Sequence, residues 1–177
     1  ITGEWRFVRV TDEESGLSGL DGSYGAAWAD LDNDGDLDLH TQSKIYVNNG
    51  NSNHWLKVHL TGDGAIVNGP AIGSTVRITV NGETMTRQVE GGTGVGYQND
   101  LTLHFGLGSH SGPVDLEITP PGGKSWMIQG VAVDQTLAYE VTAPEVETLG
   151  RIPPGKIAAT STEQWWAVSY THLRAHE

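Results

Sequence analysis

Asp30-Leu31-Asp32-Asn33-Asp34-Gly35-Asp36-Leu37-Asp38 sets five carboxylates within nine residues, and no Lys or Arg falls between Glu14 and Lys44 to offset them. Neighbouring carboxylates a few ångströms apart repel by about 1 kcal/mol in bulk water and several times that near a protein surface. A bound cation relieves that repulsion. Side chains at the first, third, fifth and ninth positions of the run wrap round one point, and Gly35 at the sixth allows the sharp turn this requires. Hard oxygen donors on a flexible loop suit calcium. Magnesium demands near-octahedral geometry, and zinc favours His or Cys, which the run lacks. The expected ligands are the side chains of Asp30, Asp32, Asp34 and Asp38 with the backbone carbonyl of Asp36, whose carboxylate is left facing solvent. The plainer alternative is a solvated acidic loop without an ion, although regular spacing round a central Gly argues against it.

An EF-hand loop would end in a bidentate Glu at its twelfth position and lie between helices. Here that position is Thr41. Gly25-Ala26-Ala27-Trp28-Ala29 is too short for a flanking helix, and Leu37-Asp38-Leu39-His40 alternates apolar with polar as a strand does. The run is therefore expected to join two short strands. From Gly25 to Leu39 the sequence resembles the FG-GAP or VCBS repeat, a calcium-loop blade of β-propellers; Phe7-Val8-Arg9-Val10-Thr11 with Gly16 resembles its run-in, and Ile45-Tyr46-Val47-Asn48-Asn49-Gly50 its closing strand. The resemblance implies a secreted or cell-surface protein. A lone blade does not bury both faces of its sheet, so upstream propeller repeats of the same protein are the implied neighbours.

From Asn53 the pattern changes to longer alternating strands. His54-Trp55-Leu56-Lys57-Val58-His59-Leu60 sets Trp55, Lys57 and His59 on one face and Leu56, Val58 and Leu60 on the other, the second being the expected core face. Ser74 to Val80, then Asn81-Gly82, then Glu83 to Val89 is a hairpin signal, because Asn-Gly supplies both positive φ angles of a type I′ turn. Further strands are expected at 101–105, 114–118, 126–131 and 135–141, with Pro120-Pro121-Gly122-Gly123 as a turn. Over roughly 53–141 the chain is similar to the ASPIC/UnbV domain. The matching residues are Asn53 to Val58, Asn68 with Ala71-Ile72-Gly73-Ser74-Thr75-Val76, Gly91-Gly92 and Gly96, Leu103-His104-Phe105-Gly106-Leu107-Gly108, and Val131 with Asp134-Gln135. Where that family often has Trp-Pro-x-Gly, this chain has Thr119-Pro120-Pro121-Gly122.

The whole composition agrees with an all-β chain. Glycine is abundant at 24 of 177 residues and methionine scarce at 2, and β-branched residues recur in short runs. A 37% hydrophobic content allows a modest core, and a net charge of −12 argues against nucleic acid or an anionic membrane surface as partner. Cysteine is absent, which removes disulfides and thiolate metal sites. No apolar run is long enough to insert into a bilayer, and any signal peptide is expected on an upstream part.

The other candidate chemistry is weaker. Gly91-Gly92-Thr93-Gly94-Val95-Gly96 lacks the Gly-Lys-Ser/Thr of a P-loop and leads back to a strand, so a mobile or tightly turning loop is the better reading. His104 is expected half-buried in a strand, and His110 has no nucleophile elbow round it. Nine contiguous residues curling round a point do not set two carboxylates across a glycoside, so no catalytic residue is assigned. The expected organisation is a remnant propeller blade at 1–50, a small antiparallel β-sandwich-like domain at 53–143, and a linker with a tail resembling translated adapter sequence at 144–177. The expected role is a non-enzymatic calcium-dependent module binding an extracellular protein or glycan; the alternative is an accessory or catalytic part of a secreted carbohydrate-active enzyme.

Overall fold

The computed structural model describes residues 7–19, 24–65 and 67–142, all of them within one compact unit. The linker and tail expected at 144–177 lie outside the described residues. Thr11-Asp12-Glu13-Glu14 closes one helical turn, α1 (Asp12–Ser15). The Thr11 hydroxyl accepts the Glu14 N–H at 3.3 Å, and the Glu14 carboxylate accepts the Thr11 N–H at 2.9 Å, a reciprocal cap. All other regular structure among the described residues is β. No helix there is long and apolar enough to cross a membrane.

The aspartate run joins β1 (Ala26–Ala29) to β2 (Asp38–Thr41), which pair antiparallel so that Ala29 faces Asp38 across the mouth of the loop. A short β3 (Ile45–Tyr46) completes this sheet on the far side of β2. The loop thus hangs between adjacent strands, as the alternating pattern after Gly35 predicts. The expected closing strand at 45–50 is shorter, because Asn48, Asn51 and their neighbours turn back to bond the loop.

The remaining strands form two further sheets. One holds β4 (His54–Gly62), β7 (Leu103–Gly108) and β10 (Gln135–Val141), in the order β10-β4-β7; the other holds β5 (Thr75–Val80), β6 (Glu83–Gln88), β8 (Val114–Thr119) and β9 (Trp126–Val131), in the order β6-β5-β8-β9. Alternate residues of both enter a shared core: Leu56, Val58 and Leu60 from β4, Phe105 from β7, Val76 and Ile78 from β5, Leu116 and Ile118 from β8. Period-two burial on one face is what a sandwich requires. Asn81 and Gly82 take φ of 53° and 81°, as the type I′ hairpin predicts. The Gly123 N–H donates to the Pro120 carbonyl at 3.1 Å, closing the Pro-Pro-Gly-Gly turn.

One pairing lies outside the antiparallel expectation: β10 runs parallel to β4. The chain reaches it by crossing from the four-stranded sheet, and Asp134 fastens the crossing. Its N–H donates to the Trp55 carbonyl at 2.6 Å, while its carboxylate accepts the Trp55 N–H at 3.1 Å and the His54 Nδ1–H at 2.7 Å.

Candidate metal centre

The aspartate loop is built by its own carboxylates accepting backbone N–H groups. Asp30 accepts from Asp34 at 3.1 Å through Oδ1 and from Gly35 at 3.0 Å through Oδ2. Asp38 accepts from Leu31 at 2.7 Å and from Asn48 at 2.8 Å, which ties the start of the loop and the segment after β3 to one buried side chain. Gly35 adopts φ +98°, and a Cβ there would collide with the Trp55 indole. Only glycine serves at that point, for conformation and for space alike.

Among the described residues the structure brings together Asp30, Asp32 and Asp38, with one carboxylate oxygen of each within 4.8 Å of the others. Asp38 is 1% exposed and Asp30 is buried, whereas Asp32 opens to solvent. Asp34 and Asp36 stand apart from this trio. One Asp34 oxygen accepts the Asp36 N–H at 2.9 Å, and the other faces Gly50. The Asp36 carboxylate, expected to face solvent, instead accepts the backbone N–H of Asn51 at 3.1 Å and its side-chain amide at 2.9 Å. Asn51 arrives because the chain doubles back after β3, which the nine-residue run could not announce.

A counter-charge also arrives from far along the chain. Lys57 of β4 sets its Nζ 2.5 Å from Asp30 Oδ2 and 3.4 Å from Asn33 Oδ1, with the ion pair almost fully buried. The ammonium lies 5.4 Å from the Trp55 ring centroid, within cation–π range. Burial opposes the Asp30 charge, but the hydrogen bond from Lys57, with the Gly35 N–H behind it, prevails and holds its pKa below the ordinary carboxylate value. The face of β4 opposite the core is therefore covered too: Trp55 and Lys57 pack under the loop. His104 of β7 adds a third tie, because its Nε2 lies 2.6 Å from the Gly35 carbonyl and must carry the proton, since a carbonyl only accepts.

The donor set, all oxygen, suits a hard divalent cation such as calcium. Oxygens facing each other across calcium at about 2.3 to 2.6 Å lie about 5 Å apart, and the trio spans no more than 4.8 Å. Three carboxylates less one ammonium leave two formal negative charges, the charge a divalent ion cancels. Asp30, Asp32 and Asp38 would hold such an ion, which would supply charge neutralisation. Lys57 was not legible as a partner from the run itself; the available signal was its place between Trp55 and His59 on the outward face of β4.

The described residues define a two-sheet β sandwich with an acidic strand-loop-strand unit fastened to its β4-β7 face. Residues 64–146 match the family described as ASPIC and UnbV. The match takes in β5 to β10, while β4 and the aspartate loop lie before it. No curated protein matches the chain.

Proposed function

We propose that the chain is a secreted, non-catalytic, calcium-organised β module that binds an extracellular protein or glycan. In this reading residues 1–50 are an FG-GAP/VCBS-type repeat placed before the ASPIC/UnbV-type domain. The observation that carries it is the convergence of Asp30, Asp32 and the buried Asp38 about a point where two negative charges lack a counter-ion. Exposed Phe7, Val8, Val10, Ile45 and Val47 support a neighbouring repeat of the same protein as a covering partner. Calcium neutralises the loop, and the loop holds the strands and side chains packed on it.

Calorimetric titration of the full chain with calcium and with magnesium, paired with thermal unfolding, tests this. Calcium is expected to bind at one site and raise the melting temperature, magnesium to do so much more weakly, and Asp38→Asn to abolish both effects. An unchanged melting temperature with no heat of calcium binding would refute it.

A further inference from the structure

We infer that the cleft between β1 and the β6-β7 side of the sandwich is a binding site for a neutral, hydroxyl-rich glycan, an inference that rests on the binding role proposed above and gives it a place and a ligand class. The cleft has a volume of about 490 Å³ and is lined by Trp28, Arg87, Glu90, Asn99, Asp100 and His104 among others. Trp28 is 45% exposed, yet its backbone is fixed on both sides: its N–H donates to Asn99 Oδ1 at 3.0 Å and its carbonyl accepts the Asp100 N–H at 2.9 Å. Solitary exposed apolar residues are ordinary. This one is held rigidly beside a row of polar groups.

Arg87 and Asn99 are held in place with bonding capacity to spare. Arg87 donates through Nε to the His104 carbonyl at 3.2 Å and through Nη1 to the Thr86 carbonyl at 3.1 Å, and its guanidinium lies 5.7 Å from the Phe105 ring centroid. Its second terminal nitrogen, the Glu90 carboxylate and the Asn99 amide nitrogen make no hydrogen bond among the described residues. The cleft therefore offers an aromatic surface, planar donors and planar acceptors together. A pyranose presents the complement, with C–H bonds on one face and a rim of hydroxyls that each donate and accept. Two acidic side chains against one guanidinium, in a chain of net charge −12, disfavour sulfated or uronic polymers. Apolar Trp28, Leu37 and Leu103 alternate in the lining with hydrogen-bonding side chains, a mixture that matches a sugar's apolar face and hydroxyl rim.

The cleft is also bonded to the aspartate loop. His104 lines it and donates to the Gly35 carbonyl, and Leu37 from the loop's end contributes to the wall. Glycan binding is therefore expected to strengthen when calcium fixes the loop.

The test is amide and indole NMR of the full chain, with calcium and with chelator, titrated with cellohexaose, laminarihexaose, xylohexaose and mannohexaose, and with hexagalacturonate as the charged comparison. At least one neutral hexasaccharide should shift the Trp28 indole and the Glu90 and Asn99 resonances. Trp28→Ala and Glu90→Ala should each weaken it by about ten-fold, and Thr79→Ala on the outer face of β5 should leave it unchanged. Calcium binding with no response to any neutral sugar, tighter binding of hexagalacturonate, or shifts confined elsewhere would overturn the glycan site while the calcium reading stands. Sugar shifts in a protein that binds no calcium would uphold the cleft and overturn the calcium reading instead.

Discussion

Lys57→Met removes the cation buried beneath the aspartate loop and keeps most of the side-chain volume. The Nζ it deletes lies 2.5 Å from Asp30 Oδ2, in a pair whose side chains are 7% and 1% exposed. Breaking one partner of such a buried pair leaves an uncompensated charge and costs about 3 to 5 kcal/mol. Here the stranded carboxylate also adjoins Asp32 and Asp38, so the upper part of that range is expected without metal. A divalent ion at the trio would replace much of the missing positive charge, and saturating calcium at a hundredfold excess over its dissociation constant is worth about 2.7 kcal/mol to a native state that alone binds it. The variant should therefore lose most stability in chelator and distinctly less in calcium, and by linkage it should bind calcium more tightly than the parent. Removing both charges, as Asp30→Asn with Lys57→Met, should cost less than the sum of the two single changes. Urea unfolding followed by tryptophan fluorescence, with and without calcium, measures all of this. A loss below about 1 kcal/mol in chelator, the scale of an exposed pair, or an equal loss in both conditions, would refute the reasoning.

Gly35→Ala forces a Cβ into the Trp55 indole at a residue with φ +98°; a cost of about 1 to 3 kcal/mol is expected, with the Trp55 fluorescence shifted as the loop lifts from β4. Asp134 has its pKa lowered chiefly by the hydrogen bond from His54; desolvation opposes this, and the Trp55 N–H adds a smaller lowering. A lowered native pKa gives stability that is present above the ordinary aspartate value and is lost as pH falls through the lowered one. The parent should accordingly lose more of its melting temperature than Asp134→Asn on acidification through that window, and parallel acid profiles for the two proteins would remove Asp134 from the account.

Short-range chemistry in the sequence carried a large part of this structure. Asn81-Gly82, Pro120 to Gly123 and the alternation in β5, β8 and β10 each name their own geometry within a few residues. At Gly94-Val95-Gly96-Tyr97, expected as a mobile or tightly turning loop, the chain turns tightly: the Tyr97 N–H donates to the Gly94 carbonyl at 2.9 Å, and Val95 and Gly96 both take positive φ. Thr11-x-x-Glu14 was equally local and predicts α1, yet a single turn has no apolar periodicity to draw the eye. What sequence order does not encode is pairing at a distance. The parallel partnership of β10 with β4 depends on a crossing between sheets, and Lys57 meets Asp30 across 27 positions.

That pairing changes how the unit works as a whole. Along β4, Leu56, Val58 and Leu60 point into the sandwich core while Trp55 and Lys57 lie beneath the aspartate loop, so alternate residues of one strand serve two different environments. β4 is also hydrogen-bonded to β7 on one side and β10 on the other, and β7 carries His104, the side chain that both lines the cleft and bonds Gly35. A change in loop charge thus acts on a central strand whose other face cannot shift without opening the core, since interiors are packed too densely to deform gradually. The expected consequence is a loop that is either seated on β4 and β7, as it is here, or detached from them. Calcium, by setting the charge balance around Asp30, would select the seated state and with it the shape of the cleft beside Trp28.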